Sequence, residues 1–247
     1  MKRLFVLSPH RDDAVFSLSV ALCYWRTLPI QVTVANVFTR SNYGPHAMTR
    51  GEELVAEISE QRRREDRRAL AMIDRRIQIE SAGLLDAPLR LQKNTASVCN
   101  VDEASVRTCD VRLVSTVLER LCRVWPVIAP LGLGNHLDHL TVRAAAIDIV
   151  RHRTLAFYED LPYATWTPEN AILERVRDTE RRTNVPLHPV VLRNICNIRL
   201  KRRFASQYRT QIQSGEATAI AAFASKYKTG ERIWIPRYGR LWKSLLQ

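Results

Sequence analysis

Short apolar runs of strand length alternate along this chain with longer stretches that carry apolar residues at helical spacing. Leu4 to Leu7 is the first such run, and Asp13 to about Thr27 the first helix. Ile30 to Val37, rich in β-branched residues, predicts a second strand. Phe38 to Arg50 is then a polar loop that includes Asn42, Tyr43, Gly44, Pro45 and His46, placed to overhang a strand edge. A charged helix follows from about Glu52 to Asp74, and a third strand at Ile77 to Ile79 with a turn around Gly83. Asp86 to Arg90 reads as loop, and Leu91 to Ala104 has no periodicity. Val111, Val114, Val117, Leu118 and Leu121 define a helix over Asp110 to Val124. Val127 to Pro130 and Leu155 to Tyr158 are two more strands, separated by a helix that runs to about Val150. Beyond them the pattern predicts a strand near Val190 to Arg193, helices over Ile198 to Gln213 and Ala217 to Tyr227, and a terminal tail.

Repeated strand and helix units imply the α/β class, here a Rossmann-like three-layer fold with a mainly parallel sheet and right-handed crossovers. No Pro/Gly/Ser-rich linker, repeat or low-complexity block divides the 247 residues, so residues 1–247 are read as one domain. The part from about 165 to 247 is expected to complete the substrate pocket. The turn after the first strand, Pro9-His10-Arg11-Asp12, lacks the glycines that let a pyrophosphate approach the backbone, which excludes a dinucleotide site of the usual kind.

Chemistry gathers at two strand ends. His10, Asp12 and Asp13 follow the first strand, and His136, Asp138 and His139 follow the fourth after the turn through Gly132 and Gly134. Ligands bind outside the carboxyl ends of strands in open α/β sheets, so the two groups meet if their strands share a sheet. Simpler readings exist for each residue alone: Asp12 or Asp13 capping the first helix, and His136 and His139 sharing a helix face because they stand three apart.

Pro9-His10-Arg11-Asp12-Asp13 together with His136-Leu137-Asp138-His139 resembles the paired signature of the LmbE-like (PIG-L) zinc-dependent N-deacetylases. The likeness extends through Val37 to Ser41, Arg62 to Asp66, Tyr158 to Tyr163 and Ala205 to Gln207. It implies hydrolysis of an N-acetyl or other acyl group from an amino sugar such as N-acetylglucosamine, in a small glycoconjugate or a biosynthetic intermediate. By the same resemblance His10, Asp13 and His139 hold Zn²⁺ or another divalent ion such as Fe²⁺. Such an ion lowers the pKa of bound water to about 7 and polarises a carbonyl, which is what amide hydrolysis needs near neutral pH. Asp12 then matches the carboxylate that takes a proton from the attacking water and passes it to the departing nitrogen. His136, protonated, stabilises the oxyanion, with Asp138 orienting it.

Substrate contacts are expected from Arg62, which also stands at salt-bridge spacing to Glu65, and from Arg40 and Asn42 after the second strand, where turn chemistry is the alternative. Glu159 and Asp160 end the fifth strand on the same edge and are expected in the pocket unless they cap a helix. His46, His152 and His188 have no motif around them and are read as non-ligands. The chain departs from the family pattern at Arg11, where Pro or a small apolar residue is usual, at Ala14, where Glu is usual, and at Ser17-Leu18-Ser19 in the first helix. These departures change the pocket floor, and Arg11 becomes a candidate contact for an anionic group.

Composition adds limits. The net charge of +13 could mark an acidic partner, but the arginine runs at 62–64, 67–68 and 75–76 are interleaved with acids or lie on helical segments, as solvated faces do. Nucleic acid is therefore not the expected partner. Five scattered cysteines without a C-x-x-C pair favour free thiols and a reducing compartment, with Cys99 and Cys109 the one local pair able to bridge. The first apolar run breaks at Pro9, too soon for a signal-peptide core, and no stretch reaches the ~20 apolar residues of a membrane span. A cytoplasmic protein without membrane contact follows, with homo-oligomer formation left open. An amidase acting on a larger non-acetyl amide, and a non-catalytic sugar- or nucleic-acid-binding module, are the alternative functions.

Overall fold

Leu4, Val6 and Leu7 have no exposed surface, because strand β1 (Lys2–Ser8) runs through the middle of the sheet with helices over both faces. The computed structural model describes residues 2–43, 52–122, 125–150, 154–193 and 196–246. The other strands are β2 (Ile30–Arg40), β3 (Gln78–Leu85), β4 (Val127–Pro130), β5 (Leu155–Tyr158), β6 (Leu187–Leu192) and β7 (Glu231–Pro236). They form one seven-stranded sheet in the order β3-β2-β1-β4-β5-β7-β6. The pairings among β1 to β5 are parallel, whereas β7 is antiparallel to both β5 and β6.

Nine helices accompany them among the described residues: α1 (Asp13–Trp25), α2 (Glu52–Ile73), α3 (Ala87–Leu91), α4 (Thr108–Cys122), α5 (Leu137–Ile149), α6 (Glu169–Thr183), α7 (Ile198–Ala205), α8 (Glu216–Phe223) and α9 (Arg240–Leu245). Helices α1, α2 and α7 pack together as one group and α4 with α5 as another. The chain leaves β1 in one direction through β2 and β3, then returns to pair β4 against the other edge of β1, with Phe5 opposite Val127. Strand order reverses between β1 and β4, and that reversal opens a crevice at their carboxyl ends.

The α/β class and the parallel centre agree with the sequence pattern; the edges differ. Strand β2 continues to Arg40 rather than giving way at Phe38, and β3 continues through Gly83 to Leu85. Two register shifts between these strands accommodate Gly83 at φ 75°, with its N–H donating to Thr39 Oγ1, so a bulge replaces the expected turn. Asp86 caps the short α3 where a loop was expected. Helix α7 stops at Ala205 instead of Gln213, since Tyr208 turns inward to donate to Asp66 and Thr210 to bind Glu65. Residues 169–183 form a helix the pattern did not predict, because only Ile172, Val176, Thr179 and Thr183 of its fifteen residues are buried. The expected terminal tail is β7 and α9, inserted with Ile233, Trp234 and Ile235 buried. Cys99 and Cys109 are free thiols, as are Cys23 and Cys196. No helix among the described residues is long and apolar enough to cross a membrane.

Helix α1 is buried almost throughout and breaks at Leu18 (φ −129°, ψ 16°), which frees backbone groups in the interior. Lys201 Nζ donates to the Phe16 carbonyl and Glu231 accepts the Ala21 N–H, and the two side chains pair with each other at 2.5 Å. Removing one partner leaves a buried charge uncompensated. Lys201→Met is expected to lower stability by about 3–5 kcal/mol, read as a shift of the urea unfolding midpoint.

Candidate functional site

The turn after β1 is built by its own polar side chains. Ser8 Oγ accepts the Ala14 N–H at 3.0 Å and so caps α1, while Asp12, at the cap position, makes no side-chain capping bond. The Asp12 carboxyl is thereby left for other work. Asp13 Oδ2 accepts the His10 N–H at 2.7 Å, which folds the carboxylate back against the His10 ring.

The turn after β4 depends on positive φ. Gly132 stands at 75°, Gly134 at 71° and Asn135 at 51°. A Cβ on Gly134 would overlap the Tyr163 ring, so only glycine lets that aromatic approach. His136 caps α5, its Nδ1 accepting the Asp138 N–H at 3.2 Å. One turn on, His139 faces back toward β1.

The two turns converge. His10 Nδ1 and His139 Nε2 each lie 3.3 Å from Asp13 Oδ2, and the three groups can present ligand atoms within 4.8 Å of one another. Zn–N bonds of ~2.0–2.1 Å in a tetrahedron place neighbouring ligand atoms about 3.3 Å apart, so these two spacings are compatible with a shared ion, and His10, His136 and Asp138 form a second group of this kind. His139 Nε2 is buried without a hydrogen bond, as a nitrogen reserved for a cation would be. Each ring is gripped from behind: His10 Nε2 meets Asp138 Oδ2 at 3.0 Å, and His139 Nδ1 meets Asp160 Oδ1 at 2.6 Å. Carboxylates in this position fix the tautomer and aim of a metal-binding imidazole.

The electrostatics favour positive charge at this point. Burial opposes ionisation of both rings, yet Asp13 and Asp138 lift His10 to about 9, and Asp13 and Asp160 raise His139 well above the usual imidazole range. Burial likewise opposes the Asp13 charge, and the two histidines still hold that carboxyl far below its usual range. Burial, and then the charge of His10, push His136 down to about 3. Its Nδ1 already accepts the Asp138 N–H, which leaves Nε2 as the nitrogen available to the cleft. The Asp138 carboxylate bonds His10, the Ala87 N–H and Arg90, and its link to His136 runs through its backbone N–H alone.

A cleft of about 230 Å³ opens over this cluster, lined by His10, Asp12, Asp13 and His136 among others. Burial and the neighbouring Asp13 charge raise the Asp12 carboxyl above its ordinary value, with Arg62 opposing at 3.7 Å. Arg62 is buried and lines the cleft; Glu65 bonds Thr210 instead of pairing with it.

The other five expected contacts lie elsewhere. Arg40 and Asn42 are exposed and do not line the cleft, since β2 runs on to Arg40 and carries them past it. Arg11 points into the interior, donating to Ser81 and facing Asp66 at 3.7 Å, so it offers nothing to an anionic ligand. Glu159 is taken up by Tyr227, Arg232 and Trp234. Asp160 is fully buried behind His139 and positions that ring rather than touching substrate. His188 sits on β6, away from the cleft, and His46 and His152 fall outside the described residues. The sequence reading set Tyr43 in the loop over the strand edge but missed Cys99, Tyr163, Trp166, Gln211 and Glu216, which line the cleft with it. Only Tyr163 had a signal, its place in the Tyr158 to Tyr163 segment.

A family model described as PIG-L, GlcNAc-PI de-N-acetylase, matches residues 5–150, which include both turns. The chain belongs to the PIG-L family. A 2'-N-acetylparomamine deacetylase of Streptomyces fradiae is 33% identical to this PIG-L chain over 168 residues, 66% of the chain and 58% of that protein. The match thus spans less than two thirds of that relative's length. Among solved structures, a deacetylase of the teicoplanin biosynthesis pathway superposes with a TM-score of 0.66 at 21% identity, covering 94% of this chain and 97% of the other. The zinc inhibited form of a teicoplanin deacetylase does so with 0.63 at 19% identity and the same coverage. At these identities the structures establish the PIG-L fold.

Gly134→Ala places a side chain at positive φ and against Tyr163. It is expected to destabilise the protein by about 1–3 kcal/mol in thermal or denaturant unfolding.

Proposed function

We propose that this chain is a zinc-dependent N-deacetylase that removes an acetyl group from an acylated amino sugar, such as N-acetylglucosamine in a small glycoconjugate or a biosynthetic intermediate. The observation that supports it most is the cluster of His10, Asp13 and His139 under a cleft, with Asp12 unbonded at its rim. Membership of the PIG-L family and the acetylated amino sugar named in the Streptomyces fradiae relative point the same way.

His10, Asp13 and His139 would hold the ion. Bound there, zinc supplies a Lewis acid for the amide carbonyl and a strong water nucleophile near neutral pH. Asp12, its carboxyl raised by burial, takes the proton of the attacking water and returns it to the leaving nitrogen. His136, with Nδ1 accepting the Asp138 N–H, donates a hydrogen bond from Nε2 to the developing oxyanion. Arg62, 3.7 Å from Asp12, favours the charged form of that carboxyl and orients it. Asp138 and Asp160 hold the two ligand rings in place.

Amine release from a panel of N-acetylated sugars, with chelator and with zinc restored, tests the reading; activity indifferent to both chelator and zinc would sink it. Asp12→Asn is expected to keep zinc but lower kcat by ~10²–10⁴. Asp160→Asn is expected to weaken zinc binding about 10–100-fold in a chelator competition.

A further inference from the structure

Helix α1 begins at Asp13 in the metal site and carries Cys23 in its last turn, at its other end. A cavity of about 290 Å³ opens there, and it shares no lining residue with the metal cleft. Cys23, Met72, Cys196 and Phe204 give it an apolar wall, and Arg26 and Arg203 bring positive charge to it. Cys196 comes from far along the chain, one residue before the Asn197 cap of α7, and α7 packs on α1. Two cysteines that the sequence scatters are thus brought to one pocket. Cys196 is buried, whereas Cys23 is partly exposed, and both are free thiols.

The two thiols are hydrogen-bonded to each other, and they are not equivalent. The Cys196 S–H holds Cys23 below the usual thiol range against burial and the Glu231 charge, with help from Arg26 and Lys201. The same bond, and then burial, push the Cys196 thiol up. A reachable sulfur that ionises readily, beside a second that keeps its proton, is the arrangement in which the first attacks an oxidant and the second resolves the product. The other described thiols lack it. Burial pushes Cys99 up, and Cys109 is exposed beside the Asp110 carboxylate.

We propose that Cys23 and Cys196 form a reversible oxidation site, in which Cys23 reacts with hydrogen peroxide and Cys196 closes a disulfide on it. The Cys23 sulfur attacks one peroxide oxygen, the O–O bond breaks, and the departing hydroxide takes a proton to become water. Cys196 then gives up its proton and attacks the Cys23 sulfur; the S–O bond breaks, the S–S bond forms and a second water leaves. Two thiols lose two electrons in all, and one peroxide gains them. A dithiol reductant reverses the change. The sulfurs, already in contact, have only to close to the ~2.05 Å of an S–S bond. That bond would join the end of α1 to the segment entering α7, two helices that Lys201 already links through the Phe16 carbonyl. The site stands apart from the deacetylase reading, because none of its residues lines the metal cleft.

Zinc-loaded protein would be treated with hydrogen peroxide near neutral pH and digested without reduction. Peptide mass spectrometry should find Cys23 joined to Cys196, the pair lighter by two hydrogens than the separate thiol peptides, and dithiothreitol should restore both thiols. Cys196→Ala keeps a small apolar side chain in the cavity. In that variant Cys23 should stop at the sulfenic acid and be captured by dimedone, and its alkylation by iodoacetamide should slow several-fold, because the S–H that favours its thiolate is gone. Cys23→Ala should leave Cys196 without a dimedone adduct. The wild-type digest alone decides the matter if either variant fails to fold: peroxide that oxidises Cys99 or Cys109 while no Cys23–Cys196 peptide forms overturns the site. A dimedone adduct on Cys196 in Cys23→Ala, or Cys23 alkylated as fast in Cys196→Ala as in the wild type, overturns the roles assigned to the two thiols.

Discussion

Two imidazoles pinned from behind by two carboxylates are what the remaining structure serves. His10 and His139 approach a common oxygen of Asp13 only because Asp138 and Asp160 occupy their far nitrogens. Those carboxylates have no exposed surface, and an unpaired buried charge is strongly unfavourable. Each is accordingly supplied with further donors: Asp138 takes the Ala87 N–H and Arg90, and Asp160 takes the Leu133 N–H. The β3–α3 connection and the turn after β4 are thus tied to the site by the need to satisfy its acids. The switch in strand order between β1 and β4 makes the meeting geometrically available, and this network makes it specific.

The same accounting explains part of a basic composition. Acids gather at the centre of the molecule in Asp12, Asp13, Asp66, Asp138 and Asp160, and Arg11, Arg62 and Arg90 are placed among them. Arg62 and Arg63 are neighbours in one run with different fates. Arg62 is buried beside Asp12, while Arg63 is an exposed partner of Glu60, where a surface pair contributes little. Asp66 shows how far compensation reaches. Burial pushes its carboxyl up to about 7, although Tyr208, Arg11 and Asn36 all oppose the shift. It braces the floor beneath Asp12 from three elements at once.

Much of this was legible in the sequence, and the exceptions have physical causes. The central strands read correctly because burial on both faces demands continuous apolar runs such as Leu4 to Leu7 and Val127 to Pro130. The clusters at 10–13 and 136–139 were visible because ligand and acid residues crowd a few positions at a strand end. Helix α6 was hidden by its four buried residues, and β7 by Glu231 and Arg232, whose charges are matched only by tertiary partners. Trp166, Gln211 and Glu216 reach the cleft from distant segments, and no local pattern marks a residue whose role is set by where a loop lands. Arg11 was misread for a related reason: a charge beside a ligand turn looks like a substrate contact until an interior acid such as Asp66 is found for it.

Glu159 and Asp160 are adjacent in sequence and opposite in function, because consecutive residues leaving a strand face opposite ways. Asp160 turns to His139, and Glu159 turns to Tyr227, Arg232 and Trp234. The second set anchors the end of β5 to β7 and the segment before it. A carboxylate 2.6 Å from an imidazole tolerates little displacement, so the backbone that carries Asp160 has to be held, and Glu159 holds it one residue away. The antiparallel strand inserted late in the chain therefore does more than widen the sheet. Through Glu159 it fixes the position of Asp160, through Asp160 the ring of His139, and through His139 the distance between the two turns on which the site depends.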